Sequence, residues 1–204
     1  TIPVFVADMD FQSPQPILDA LHRVIDNHRM FGYSMHLVVP EYFAALKRWF
    51  QVRHGWEIHD EEVVYVNGTV EAVRIAILAF TQLGDGVIIQ PPVYAPFSGQ
   101  IHETGRTVVN NRLLNQDGYY SMDFEDLERQ AQDPRNKLLI LCHPHNPVGR
   151  VWTAAELRRL AEICQRNQVL VVADEIHGDI LRAGQEFHPL ATVAGSANLV
   201  ALTA

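Results

Sequence analysis

The sequence predicts an α/β fold of three layers, with helices on both faces of a mostly parallel sheet. Residues 138–142 and 169–173 are continuous apolar runs, which is the pattern of strands buried on both faces. A helical pattern lies between these runs, and strand and helix patterns alternate along the chain, as they do around parallel sheets. The composition, 48% hydrophobic and 20% charged among 204 residues, is that of a globular protein with a substantial core.

The first part of the chain predicts an N-terminal arm and two helices. Ser13-Pro14 is a helix start, because serine caps helices and proline suits the first helical position. One face of this helix is expected to carry Ile17, Leu21, Val24 and His28. After a loop, Pro40 begins the second helix, whose inner side carries Phe43, Leu46 and Phe50. We therefore divide the chain into an arm with a helix, residues 1–39, and a large domain, residues 40–204.

The middle of the chain predicts alternating strands and helices. Residues 63–66 are expected to form a short strand, and the turn Asn67-Gly68 leads into a helix that starts at Thr69. The apolar residues of that helix recur at helical spacing, at Val73, Ala76, Ile77 and Phe80. Two further strands are expected, at residues 87–90 and 106–110.

Caps and apolar runs predict the later elements. Asp123 is expected to cap a helix, and the helix between the two apolar runs begins with a capping box from Thr153 to Glu156. The apolar face of this second helix carries Leu157, Leu160, Ala161 and Cys164. Residues 198–204 are expected to form one more strand.

Polar residues follow both apolar strands. The loop after the first strand reads His-Pro-His-Asn-Pro-Val-Gly-Arg and contains Asn146, and the second strand ends in Asp-Glu-Ile-His, which contains Asp174. Parallel sheets bind ligands outside the carboxyl ends of their strands, so these two residues are the first candidates for a functional site. Each also has a structural interpretation, since asparagine before proline is common in turns and aspartate often caps helices.

Two segments together resemble the cofactor signature of a known family. Asn-Pro-Val-Gly at residues 146–149, followed by Ala-Asp-Glu-Ile-His at residues 173–177, is similar to the fold-type I pyridoxal-phosphate enzymes of the class I/II aminotransferase superfamily. Val-Ala-Asp-Met-Asp-Phe at 6–11, Phe-Gly-Tyr-Ser at 31–34 and Pro-Val-Tyr-Ala-Pro-Phe at 92–97 resemble the MalY/PatB branch, the cystathionine β-lyase-like C–S lyases. The segments follow one another in the order found in that branch.

The resemblance implies a large domain of the fold-type I kind that continues beyond this chain. Thr203-Ala204 matches the residues just before the family's catalytic lysine, so that lysine is expected a few residues beyond Ala204, followed by the rest of the large domain and a small domain. Lys47, on a predicted helix, and Lys137, just before a predicted strand, do not fit the role.

The resemblance also assigns roles around the cofactor, pyridoxal 5′-phosphate. The implied cofactor-binding residues are Gly68, Thr69 and Val70 at the phosphate, Tyr94 on the ring, Asn146 and His177 at the phenolic oxygen, Asp174 at the ring nitrogen, and Tyr33 from the neighbouring subunit of a homodimer. Asp174 is the one catalytic residue expected within the chain, and Asp8 and Met9 are expected at the substrate entrance.

Physical chemistry supports several of these roles. A carboxylate beside the ring nitrogen favours its protonated form, and the free N–H groups at the start of the helix at Thr69 suit a phosphate. The structural alternatives are packing for Tyr94 and an ordered arm for Asp8 and Met9. Glu175 points away from Asp174 along a strand, so we expect it to be a structural partner.

The branch resemblance favours a C–S β-lyase that converts sulfur amino acids to a thiol, pyruvate and ammonia. An aminotransferase is the alternative, because both reactions begin with removal of the Cα proton by a general base. We expect the substrate to be an amino acid. The net charge of −8 and the pI near 5.6 argue against a nucleic-acid or anionic-membrane surface.

Other readings of the sequence have weaker support. His143, His145, Asp174, Glu175 and His177 could be imagined as metal ligands, but the sequence has no His-x-x-x-His or Cys-x-x-Cys pair, so no metal is expected. A non-enzymatic module of an aminotransferase-like transcription regulator conflicts with the low pI.

Cys142 and Cys164 are expected as unpaired buried thiols, which is consistent with a cytoplasmic protein. No apolar run is long enough to span a membrane.

Overall fold

The computed structural model describes residues 11–28, 40–195 and 198–203, which fall into two units, residues 1–37 and 38–204. Helix α1, Gln15–His28, belongs to the first unit, and the helix predicted from Ser13-Pro14 is therefore confirmed. Three residues of the predicted apolar face, Ile17, Leu21 and Val24, are exposed. The boundary predicted between residues 39 and 40 stays a prediction, since residues 29–39 lie outside the described ranges.

The second unit is built on a five-stranded sheet in which every neighbouring pair of strands is parallel. The strands are β1 (Gly86–Ile89), β2 (Thr107–Asn110), β5 (Asn136–Cys142), β6 (Leu170–Asp174) and β7 (Leu199–Leu202), and they lie in the order β2-β1-β5-β6-β7. A separate antiparallel hairpin is formed by β3 (Leu114–Gln116) and β4 (Tyr119–Ser121). The predicted mostly parallel sheet is confirmed.

The second unit also contains α-helices. They are α2 (Pro40–His54), α3 (Thr69–Phe80), α4 (Pro96–Glu103), α5 (Phe124–Ala131), α6 (Ala154–Arg166) and α7 (Leu190–Ala194). Helices α3 and α4 cover one face of the sheet, and helices α5, α6 and α7 cover the other. Asp123 caps α5 by accepting the N–H of Asp126 at 2.9 Å, as predicted. The capping box of Thr153 and Glu156 starts α6, also as predicted.

Alternate residues of the central strands face opposite layers, which is why β5 and β6 read as continuous apolar runs. On β5, Leu139 and Leu141 pack in one buried cluster with residues of α5, α6 and α7. Leu138 and Ile140 pack in the other cluster, with residues of α3 and α4. These two cores, one on each face of the sheet, confirm the predicted three-layer architecture.

The strand predicted at residues 63–66 is wrong. These residues form no strand, and the side chain of Val64 is 81% exposed. A strand is stabilised by a backbone ladder with a neighbour, and no strand within the described ranges pairs with this segment. Of these residues, Val66 packs against the buried cluster that contains residues of α3 and α4. The apolar pattern of residues 63–66 therefore reflects this packing and not a strand.

Among the residues that the structure describes, no helix combines the length and the apolar character needed to cross a membrane.

Candidate functional site

The loops after β1, β5 and β6 lie side by side at the carboxyl edge of the sheet. The chain leaves β1 for β2 and later returns to β5 on the opposite side of β1. Such a reversal of strand order opens a crevice where α/β proteins bind ligands. His145 Nε2 lies 3.3 Å from the carbonyl oxygen of Gln90, which connects the loops after β5 and β1. The backbone N–H of His143 donates to the carbonyl of Asp174 at 2.9 Å, which connects the same loop to the end of β6.

Asp174 is a buried carboxylate at the last position of β6. It is 4% exposed, and its Oδ1 accepts the backbone N–H of Ile176 at 3.3 Å. Burial raises the pKa of Asp174, while the hydrogen bond from Ile176 and the nearby His177 act in the opposite direction. No lysine or arginine within the described ranges forms an ion pair with this carboxylate. A buried anion without a cation is costly, so the position suits a ligand that brings a positive charge.

Asn146 and His177 belong to the loops that flank Asp174. Cys142, at the end of β5, pairs in register with Asp174, and its Sγ lies 3.2 Å from the backbone nitrogen of Asn146. The half-buried Asn146 side chain has no hydrogen bond to any described residue, so its amide is available to a ligand. His177 is half-buried and close enough to Asp174 to lower the pKa of that carboxyl.

The start of helix α3 has free backbone donors. Gly68 is the N-cap, with a φ of +129° that other residues rarely adopt, and it supplies no side chain to cap the helix. Within the described ranges no acceptor is bonded to the first N–H groups of the helix, at Thr69 and Val70. These groups and the helix dipole favour an anion at this end of α3. Helix α3 packs against β5, β6 and β7, which include the two strands that carry Asp174 and lead to Asn146.

Tyr94 lies in the turn between β1 and α4. It is 37% exposed, and its ring meets that of Phe97 edge to face, with centroids 5.5 Å apart. Tyr94 also lines a cavity of about 480 Å³ with residues of β1, α4 and β2. Asp174, Asn146 and His177 are not among the lining residues of this cavity. The structure therefore groups those three residues at the ends of β5 and β6 and places Tyr94 at the neighbouring end of β1.

The two histidines of the loop after β5 have structural contacts. His143 Nε2 lies 3.1 Å from the carbonyl oxygen of His188, and its ring stacks on Phe187 with centroids 4.8 Å apart. Burial lowers the pKa of His143 to about 4, and burial does the same to the pKa of His145. Both rings are therefore neutral at physiological pH. Among the described residues, no three His, Cys, Asp or Glu side chains come together in a way that could hold a metal.

Glu175 and Lys47 have structural partners, and Lys137 lies at the other end of its strand. Glu175 Oε1 accepts the backbone N–H of Leu190 at 2.7 Å, which agrees with the structural role expected for it. Lys47 on α2 forms an ion pair with Asp60, at 2.5 Å. Lys137 is exposed at the second position of β5, at the amino end of the strand, whereas Asp174 lies at the carboxyl end of β6.

Three of the predicted site residues, Asp8, Met9 and Tyr33, lie outside the described residues. Conversely, sequence reasoning did not single out Arg150, which the structure places, half-buried, at the end of the loop of Asn146. Its position directly after Asn-Pro-Val-Gly was visible, but nothing in the sequence indicated its partners.

Comparisons with known proteins found a matching family and similar sequences. Residues 6–204 match the profile of the family described as aminotransferase class I and II. The chain is 43% identical over 195 residues to cystathionine beta-lyase PatB of Bacillus subtilis and 35% identical over 193 residues to protein MalY of Escherichia coli. Each alignment covers 95% of this chain and 49% of the relative, so the chain spans about half the length of these proteins.

A solved structure has a similar fold. Cystalysin from Treponema denticola, whose crystal structure contains pyridoxal 5′-phosphate, superposes with a TM-score of 0.95 at 36% sequence identity. The match covers 100% of this chain and 51% of cystalysin.

Proposed function

Because this chain belongs to the aminotransferase class I and II family, we propose that it forms the cofactor-binding part of a pyridoxal-phosphate-dependent C–S β-lyase. The substrate is a sulfur amino acid of the cystathionine type, and the products are a thiol, pyruvate and ammonia. The observation that carries the proposal is Asp174, a buried carboxylate that has no cationic partner among the described residues. The name of PatB, a cystathionine beta-lyase, together with the 43% identity to it, supports the lyase chemistry, and the cofactor in the cystalysin structure supports pyridoxal phosphate.

The residues present fit pyridoxal phosphate. The group needs an anion at its ring nitrogen, donors at its phosphate and a donor at its phenolic oxygen. Those requirements are matched, in that order, by Asp174, by the free N–H groups that follow Gly68 at Thr69 and Val70, and by the free amide of Asn146. His177 would bind beside Asn146, and Tyr94 would lie against the ring. When bound, the cofactor supplies an electron sink for the pair left at the substrate Cα after its proton is removed.

Asp174 would hold a proton on the ring nitrogen. The burial that raises its pKa disfavours an isolated carboxylate, so the carboxylate gains most when a positive charge lies beside it. Asn146 would orient the ring through its amide, and the α3 N–H groups would fix the phosphate without any charged side chain. The lysine that removes the Cα proton is proposed to lie beyond Ala204, and Asp8 and Met9 are proposed at the substrate entrance.

The test of the reaction uses the full-length holoenzyme with L-cystathionine and no keto acid. We expect sustained pyruvate release over many turnovers. A single turnover that a keto acid restores would instead identify an aminotransferase. That alternative retains support from the family itself, and no described residue separates the two reactions.

The test of the site is Asp174→Asn, which keeps the size of the side chain and removes its charge. We expect turnover to fall by about a hundredfold or more, as it does when an electrostatic partner of the reacting group is lost, even with saturating cofactor. Near-normal turnover would contradict the role of Asp174. Asp117→Asn, at an exposed position in the turn between β3 and β4, is the matched control, and it should leave turnover unchanged.

A homodimer is part of the proposal, with Tyr33 reaching the cofactor phosphate of the neighbouring subunit. Tyr33→Phe should weaken cofactor retention, measured by dialysis, and unchanged retention would argue against a shared site. A cytoplasmic location is proposed from the two unpaired buried cysteines and the acidic composition.

A further inference from the structure

Arg150 occupies a half-buried position at the end of the loop that carries Asn146. Its Nη2 lies 2.9 and 3.0 Å from the two carboxylate oxygens of Glu156, and its Nη1 donates to the backbone carbonyl of Tyr120. The Arg150 side chain is 13% exposed. An exposed ion pair contributes little, but a pair that is largely buried and bonded through both carboxylate oxygens holds its partners in one geometry.

Two aromatic rings complete the surroundings of Arg150. The guanidinium carbon lies 4.5 Å from the ring centre of Tyr119 and 4.6 Å from that of Trp152. Trp152 is fully buried, and its Nε1–H donates to the carbonyl of Cys142 at 3.0 Å. The arginine thus ties together the β3–β4 hairpin, the start of α6 and the segment that follows the end of β5.

The backbone transmits this anchoring to Asn146. The N–H of His145 donates to the carbonyl of Arg150, and the N–H of Gly149 donates to the carbonyl of His145, both at 2.8 Å. Residues 146–149 therefore form a turn whose two ends are joined at His145 and Arg150. At the start of this turn, the N–H of Asn146 meets Cys142 Sγ. The backbone of Asn146, from which the side-chain amide projects, is consequently held from one side by Cys142 and from the other by the turn that ends at Arg150.

We propose that Arg150 is a positioning residue for Asn146, which it holds at the phenolic oxygen of the cofactor. This inference rests on the proposed function, because it assumes that Asn146 binds pyridoxal phosphate. It requires the planar, forked guanidinium: lysine keeps the charge but cannot bond both oxygens of Glu156, donate to Tyr120 and lie along two rings. Arg150→Lys is therefore the informative substitution, since it preserves charge and most of the side-chain volume.

The experiment is a double-mutant cycle on the full-length holoenzyme, with Arg150→Lys, Asn146→Ala and the double variant. The measured quantities are the dissociation constant of pyridoxal phosphate, from equilibrium dialysis, and the visible absorbance of the bound cofactor as a function of pH. Arg150→Lys should weaken binding by about tenfold, as expected when a hydrogen bond to a charged group is no longer held in place, and should shift the absorbance titration. In the Asn146→Ala background it should change neither quantity.

Arg158→Lys is the matched control, because Arg158 is exposed on α6, and it should leave both quantities unchanged. A second variant, Tyr119→Leu, alters an exposed ring that touches Arg150 and should therefore fold. It should weaken binding about threefold, the scale of an exposed cation–π contact, again only while Asn146 is present.

Equal effects of Arg150→Lys with and without Asn146 would overturn the proposal, because the arginine would then act independently of that residue. No effect of Arg150→Lys in the parent would overturn it as well. If Asn146→Ala changes neither the affinity nor the absorbance, the assignment of Asn146 in the proposed cofactor site fails, and the role of Arg150 falls with it. The readouts concern cofactor binding, so they are independent of whether the enzyme is a lyase or an aminotransferase.

Discussion

The buried carboxyl group of Glu175 should make the stability of the protein depend on pH. Glu175 is 2% exposed, and its Oε2 has no hydrogen-bond partner among the described residues. Burial, and then the neighbouring charge of Asp174, raise the pKa of Glu175 to about 8, although the hydrogen bond from Leu190 acts against them. The informative change is Glu175→Gln, which keeps the size of the side chain and an acceptor for Leu190 and removes the titrating proton.

The sign and size of the effect follow from the two pKa values. In the unfolded chain the pKa of this glutamate is 4.5, so between pH 4.5 and about 8 the folded state keeps a proton that the unfolded state releases. The contribution of the protonated Glu175 to the free energy of unfolding is complete below pH 4.5 and is lost as the pH rises through about 8. The free energy of unfolding should fall by about 1.4 kcal/mol per pH unit in this window, or about 5 kcal/mol across it, relative to Glu175→Gln.

The assay is urea unfolding of the cofactor-free protein at intervals between about pH 5 and pH 8, because bound cofactor would add its own stabilisation. The difference between parent and variant isolates Glu175 from the other titrating groups. Glu162→Gln, an exposed position on α6, is the control and should give a curve parallel to that of the parent. If Glu175→Gln also gives a parallel curve, Glu175 does not keep its proton in the folded state and the reasoning is refuted.

Three further predictions concern the loop after β5 and its surroundings. Thr153→Ala should lower the free energy of unfolding by about 1 kcal/mol, measured in urea, because the N–H of Glu156 loses its capping acceptor. Gly149→Ala should cost about 1–2 kcal/mol in the same assay, since the glycine has a φ of +71°, and an unchanged stability would argue against this backbone geometry. Burial raises the pKa values of the Cys142 and Cys164 thiols to about 12. Both thiols should therefore react with a thiol reagent near pH 8 only as fast as the protein unfolds. Rapid labelling of the native protein would contradict their burial.

Much of the fold was predictable because its signals are local. The continuous apolar runs at β5 and β6 reflect burial on both faces. The caps at Asp123 and Thr153 depend only on residues within the next three positions of the chain. The error at residues 63–66 has the opposite origin: a strand exists only if another strand pairs with it, and that partner is a property of the tertiary structure. The β3–β4 hairpin was missed although Asp117-Gly118, both with positive φ, carries a recognised turn signal.

The residues of the candidate site were predictable where a polar side chain follows directly after a buried strand. Asn146 and Asp174 follow apolar runs, so their place at one edge of the sheet could be derived before any geometry was known. The burial of Arg150 between Tyr119 and Trp152 could not, because the hairpin and the loop approach each other only in the folded protein. The raised pKa of Glu175 likewise depends on the surrounding packing, which the sequence does not specify.

The strand order has a consequence for how the protein acquires its site during folding. Val87 of β1 pairs with Leu138 of β5, which is the longest separation along the chain of any strand pairing in this sheet. Closing such a long segment costs more entropy than forming the β1–β2 or β5–β6 pairs, so those pairs should form first as two separate halves. The turn of Tyr94 belongs to one half and the loop of Asn146 to the other. The crevice between them should therefore be among the last features of the sheet to form, so that a chain unable to join β1 to β5 would keep much of its secondary structure and lose its binding site.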